Sequence, residues 1–272
     1  MLNKTLFASI IIGLVFLAAP VGAKPQQLPV VPAGAKLVAD NIFYIGEAQD
    51  ARAGKKAQGY AIVHYKKNPA RGGVKPNKPS GTNCYGFLSK GAKWKTTEDW
   101  VVNASNPSGL SSSFILNNLS FDIEKWEDAA DGNVGNNFSI DILGNGALTS
   151  ADLSLGFATM NDVNEVYFAE LSEGNAIAVT YIWGFFSGPI QTRELLEWDQ
   201  IYNTAYEWSS SGESNKMDFE NIATHELGHS VGLADLYTSS CSNETMFGYA
   251  DFGETNKRTP EGGDIAGMNA LY

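Results

Sequence analysis

The chain has 272 residues, enough for one sizeable core with extra segments rather than two large domains. Apolar residues make up 43% and charged residues 18%, an ordinary globular composition that argues against a fibrous or disordered chain. The formal net charge of -11 repels phosphate backbones and so disfavours a nucleic-acid partner.

Taken in order, the first element is a targeting signal. Lys4 supplies a short basic region, Leu6 to Ala19 an apolar run, and Val21-Gly22-Ala23 a small-residue cleavage site. Residues 1–23 therefore read as a signal peptide, too short for a membrane span, and the mature protein is expected to be secreted and without a membrane-spanning segment. The alternative is an uncleaved anchor. The two cysteines, Cys84 and Cys241, would meet oxidising conditions there, where one long-range disulfide is expected.

Residues 24–83 differ from the rest. Pro25, Pro29 and Pro32 open the stretch, and β-like runs follow at Ile42 to Ile45 and Tyr60 to Val63. A basic, Pro- and Gly-rich stretch over 65–80 then suggests a cleavable linker. The segment reads as a pro-segment or as an N-terminal extension packed on the main domain.

Residues 84–272 read as one domain. Strands are expected at Trp100 to Asn103, Phe138 to Ile142, Glu165 to Ala169, Ala176 to Trp183 and Glu197 to Asn203. Ser111 to Ala130 carries apolar residues at helical spacing (Phe114, Ile115, Leu119, Ile123, Trp126). A second helix starts at Asp218, a good N-cap, and ends at Gly232; a last one covers Asp264 to Leu271.

The second helix carries His225-Glu226-Leu227-Gly228-His229. Residues four apart share a helix face, so two imidazoles can hold one metal ion, and zinc favours nitrogen ligands in a tetrahedral site. Glu226 is then placed to take a proton from a zinc-activated water. A third ligand is required. The remaining histidine, His64, falls in the suspected pro-segment, so Asp235 is the best candidate, brought back by a sharp turn at Gly232. Two histidines and a carboxylate also suit a non-haem iron facial-triad enzyme, and a metal-stabilised, non-catalytic secreted binding module is a further alternative.

The stretch from Phe219 to Tyr272 resembles the metzincin zinc metallopeptidases, and most nearly the matrixin-like secreted proteases of bacteria and archaea. His225, Glu226, His229 and Gly232 match the motif, and Thr245-Met246-Phe247-Gly248-Tyr249 matches the Met-turn that follows it. Asp235 replaces the usual third histidine, as in snapalysin-like members. The resemblance implies an α+β metzincin fold: a twisted mixed sheet, an active-site helix, a Met-turn with Met246 beneath the metal, and a C-terminal helix. It implies a zinc endopeptidase with His225, His229 and Asp235 on one catalytic zinc and Glu226 as general base. Neutral histidines are needed for the metal, so activity should fall in acid. It also places Lys93-Trp94-Lys95 at the domain start and makes Ala176 to Trp183 the edge strand that pairs with an extended protein or peptide substrate. A monomer is expected. Too few histidines remain for the family's second, structural zinc; calcium is a candidate in the Asn/Asp/Gly loops over 131–146. Cys84 has two readings: a disulfide with Cys241, or a pro-segment thiol on the zinc that keeps a zymogen latent. Tyr237 and Tyr249 are candidate oxyanion donors or packing residues, Glu244 and Glu254 weaker candidates for the third ligand. Trp183, Phe185 and Phe186 line either a groove or the core.

Overall fold

The sheet that organises this protein is built from both ends of its sequence. The structure, a computed structural model, describes residues 27–67, 83–136 and 140–272; the signal-peptide stretch lies outside them. Three antiparallel strands come first: β1 (Lys36–Ala39), β2 (Ile42–Asp50) and β3 (Lys55–Lys66). After β4 (Glu98–Asn103), helix α1 (Ser112–Asp128) is capped by the Ser111 hydroxyl, which accepts from the Phe114 amide. Strands β5 (Leu143–Leu148), β6 (Asn164–Ala169), β7 (Ala176–Phe185) and β8 (Glu194–Asn203) follow. Two short parallel strands, β9 (Trp208–Ser209) and β10 (Met217–Asp218), lead into α2 (Phe219–Ser230). The chain closes with β11 (Tyr249–Ala250) and α3 (Gly262–Leu271).

Among the described residues the main sheet runs β1-β2-β3-β7-β8-β6-β4-β5, with β11 against the end of β3. Strands β8, β6, β4 and β5 are parallel and the rest of the path antiparallel, so the sheet is mixed and the fold α+β. One face of the sheet packs against α1 and α2 around Trp100, Trp126, Trp198, Leu119, Ile222 and Leu227, all buried. No helix among the described residues is long and apolar enough to cross a membrane.

Two expectations need correction. The strand expected at Phe138 to Ile142 falls partly outside the described residues, and the one found is β5, beginning at Leu143. The Glu127 carboxylate holds the Ile142 and Leu143 amides at 2.6 and 2.8 Å, and the Trp100 ring lies where a Cβ on Gly146 would sit. Packing therefore selects a glycine-rich segment that propensity alone would not. More consequentially, β7 is not an edge. It pairs antiparallel with β8 on one side and with β3 on the other, in register from Gln58↔Gly184 to Tyr65↔Ala176. Its run of residues from Ala176 to Gly184 is buried throughout, as suits a strand covered on both faces.

Cys84 and Cys241 form a disulfide. Beside it, Gly86 accepts from the Ala234 amide and the Leu88 amide donates to Gly232, so the domain's first residues brace the turn after α2.

Candidate metal centre

Helix α2 begins where the Asp218 carboxylate accepts from the Asn221 amide, and the Arg258 guanidinium clamps that carboxylate. It ends as the chain turns at Gly232, whose φ of 107° is costly for any residue with a Cβ. The Leu233 amide bonds back to Gly228, and the chain then carries Asp235 toward the helix.

His225, His229 and Asp235 converge. His225 Nε2 lies 3.1 Å from Asp235 Oδ1, and His229 Nε2 lies 3.5 Å from the same oxygen. All three side chains are buried, and these three atoms find no hydrogen-bond partner among the described residues. The opposite ring nitrogens are engaged: His225 Nδ1 is 2.7 Å from the Thr245 carbonyl and His229 Nδ1 is 2.9 Å from the Leu233 carbonyl. A carbonyl only accepts, so each Nδ1 carries the proton and each Nε2 turns a lone pair inward. Two lone pairs and a carboxylate oxygen facing one another need a cation among them: either a proton on His229, whose imidazole Asp235 holds above its ordinary value against the pull of burial, or a metal ion. Their spacing fits one: ligands ~2.0–2.1 Å from a tetrahedral zinc lie roughly 3.3 Å apart. The residues present thus suit a zinc ion.

Several groups hold this arrangement. Tyr237 donates from its hydroxyl to Asp235 Oδ2 at 2.9 Å and receives the Asn41 amide at 2.8 Å. Met246 is buried, and its sulfur lies where a Cβ on Gly228 would project, so the turn packs under the helix between the two histidines. Asp264 steadies that turn by accepting from the Thr245 and Met246 amides at 2.7 and 3.2 Å. Lys257, buried and pushed down to about 8 by that burial, donates to the Phe247 and Tyr249 carbonyls.

Glu226 lies beside the converging set, with a carboxylate oxygen within 4.8 Å of a His225 ring nitrogen. Its Oε1 is 3.0 Å from His64 Nδ1 and its Oε2 receives the Thr180 hydroxyl at 2.5 Å. Burial raises its carboxyl above the usual range, while the two neighbouring histidines and Thr180 pull the other way. His64, on β3, is wholly buried with its ring 4.0 Å from that of His225, and burial drives its imidazole well below its ordinary value. It is therefore neutral, donating from Nδ1, with Nε2 unpaired among the described residues.

The other sequence candidates fall elsewhere. Glu244 accepts from the Gly263 amide and Glu254 from the Asp251 amide, so neither joins the converging set. Tyr249 stacks edge-on against Tyr237. Trp183 is core, and Phe186 packs on Tyr60. Cys84 is held in its disulfide with Cys241, so it offers no thiol to the converging set. Sequence reasoning missed His64 and Asn41, which reach the site from the segment set aside as a possible pro-segment. The one available signal was a histidine inside the apolar run Ala61-Ile62-Val63-His64-Tyr65.

Residues 93–272 match the family model described as matrixin, within the M10 peptidases. A search of curated proteins finds no match.

Proposed function

Since this chain belongs to the matrixin family, and so to the zinc-dependent endopeptidases that act on proteins, we propose that it is a secreted peptidase in which His225, His229 and Asp235 hold one catalytic zinc and Glu226 is the general base. The supporting observation is the set of three buried, unpartnered atoms whose facing lone pairs and charge call for a cation. When bound, zinc supplies a Lewis acid that polarises a carbonyl and lowers the pKa of water.

The chain's own residues do the rest. The Thr245 and Leu233 carbonyls fix the two imidazoles, and Tyr237 fixes the carboxylate, so the ligands need little rearrangement to receive the ion. Glu226 follows the first histidine on the same helix. A carboxylate there can take a proton from water and return it to the leaving amine. The signal-peptide pattern at 1–23 supports secretion, as does the disulfide.

The test is zinc content and casein hydrolysis by the full chain, intact and cut just past β3 after Lys67, as wild type and as Glu226→Gln. One zinc per chain in both proteins, with cleavage only where Glu226 is present, supports the reading. Zinc without cleavage by any form removes the peptidase role. No zinc at all means that Asp235 does not complete the site.

A further inference from the structure

An extended substrate is held for hydrolysis by pairing its main chain with a free strand edge beside the catalytic groups. In this fold the strand beside Glu226 is β7, which reaches it through Thr180. That edge is already taken: β3 pairs with β7 from Gln58 to Tyr65 and runs antiparallel to it, as an incoming peptide strand could. At its far end β3 is also gripped by the segment after Met246, where Tyr249 pairs with Tyr65 and the Lys67 amide bonds to Ala250.

The occupation extends to the chemistry. His64 projects from β3 onto Glu226, and Thr180 takes the second carboxylate oxygen. A carboxylate tied on both oxygens and wholly buried is closed to solvent and to substrate. His64 keeps this contact although its Nε2 is left a buried polar atom without a partner among the described residues. From the β1–β2 turn, Asn41 also touches Tyr237, which bears on Asp235. The other group able to block the metal, the Cys84 thiol, is consumed by its disulfide with Cys241.

We propose that β3 is a self-supplied inhibitor strand: in the intact chain it fills the substrate's place on β7 with His64 lodged against Glu226, and the site opens only when β3 is withdrawn. This rests on the reading of Glu226 as the general base. Withdrawal must overcome the burial of Ala57, Ala61, Ile62, Val63 and Tyr65, so the strand stays in place unless the chain is cut beyond it. The exposed Lys67, directly after β3, is an accessible place for that cut.

The experiment uses the zinc-loaded full chain with a specific-protease site inserted after Lys67. The probe is a fluorescent extended peptide ending in a hydroxamate, and its affinity is read by anisotropy. The intact chain should bind it about 100-fold more weakly than the chain cut and freed of its N-terminal fragment, as expected if the open state is ~1% populated. A synthetic peptide of sequence Lys55–Lys66 should displace the probe, and the same peptide carrying His64→Ala should do so about tenfold less well, for one lost hydrogen bond to a charged group. Should the stripped chain unfold, the uncut His64→Ala variant decides: it should gain about tenfold in probe affinity on the same argument. Equal probe binding by intact, cut and His64→Ala chains overturns the proposal. Probe binding only after release, with casein never cleaved, upholds the inhibitor strand and removes the peptidase reading. Casein cleaved equally before and after the cut does the reverse.

Discussion

The Tyr237 hydroxyl donates to Asp235 Oδ2 at 2.9 Å, leaving Oδ1 as the oxygen that faces both histidine Nε2 atoms. A carboxylate has two oxygens and several rotamers, whereas an imidazole pinned at Nδ1 has one direction to offer. Tyr237 therefore does for the aspartate what the Thr245 and Leu233 carbonyls do for the histidines. Replacing it with Phe should weaken zinc binding by about 10–100-fold, the usual cost of losing such a support. Competition against a fluorescent chelator measures this directly; an unchanged zinc affinity would show that Asp235 is held by the backbone alone.

Zinc removal should cost stability, because an ion held only by the folded arrangement of His225, His229 and Asp235 stabilises the fold by mass action. A ligand at 1,000 times its Kd adds about 4 kcal/mol, and each kcal/mol moves Tm by roughly 2–4 °C in a chain of this size. Chelation should therefore lower Tm by roughly 8–16 °C, and added zinc should restore it. A melting curve indifferent to chelator would count against a bound metal in the resting protein.

Gly228 lies between the two histidines, and a Cβ there would meet the Met246 sulfur and come within 2.9 Å of the Trp126 ring. Gly228→Ala should destabilise the fold by about 1–3 kcal/mol through overpacking, and push the Met-turn away from the helix. Chemical denaturation with the zinc-loaded protein would detect the loss. A variant as stable as the parent would mean that the thioether swings aside freely.

Burial pushes the Glu127 carboxyl up to about 7, although the Leu143 and Ile142 amides favour its charge. A folded pKa above the unfolded one means that this group's contribution is fully present below about pH 4.5 and is lost as pH rises through about 7. A glutamine keeps a carbonyl for the two amides and carries no charge. Glu127→Gln should thus match the parent near pH 4 and exceed it near pH 8, by on the order of 1–3 kcal/mol. Thermal melts at the two pH values test the sign; a variant weaker at pH 8 would show that the charge is needed for the amides.

What could be read in advance followed from local chemistry. Asp218 caps α2, Gly232 turns the chain, and the i, i+4 histidines share a face; each rule works within one or two turns of chain. What was missed lies far apart in sequence. His64 and Glu226 are 162 residues apart, and no local pattern joins them. Strand β5 was misplaced because Leu143-Gly144-Asn145-Gly146 is a poor strand former chosen by the space under Trp100. The edge assignment of β7 came from resemblance over residues 84–272, and β3, which covers that edge, comes from the N-terminal segment set aside as a possible pro-segment.

The Cys84–Cys241 bond spans 157 residues and closes a covalent ring around strands β4 to β10 and helices α1 and α2. His225, His229 and Asp235 all lie within that ring. Among proteases, loops such as Ser209 to Ser214 are natural places to be nicked, yet one nick anywhere in the ring frees no fragment. The broken molecule would keep its ligands together, run as a single species on a non-reducing gel, and fall into two pieces only once a reductant opened the bridge. Such a bond protects an enzyme from its own kind of damage, whatever it adds to the melting point.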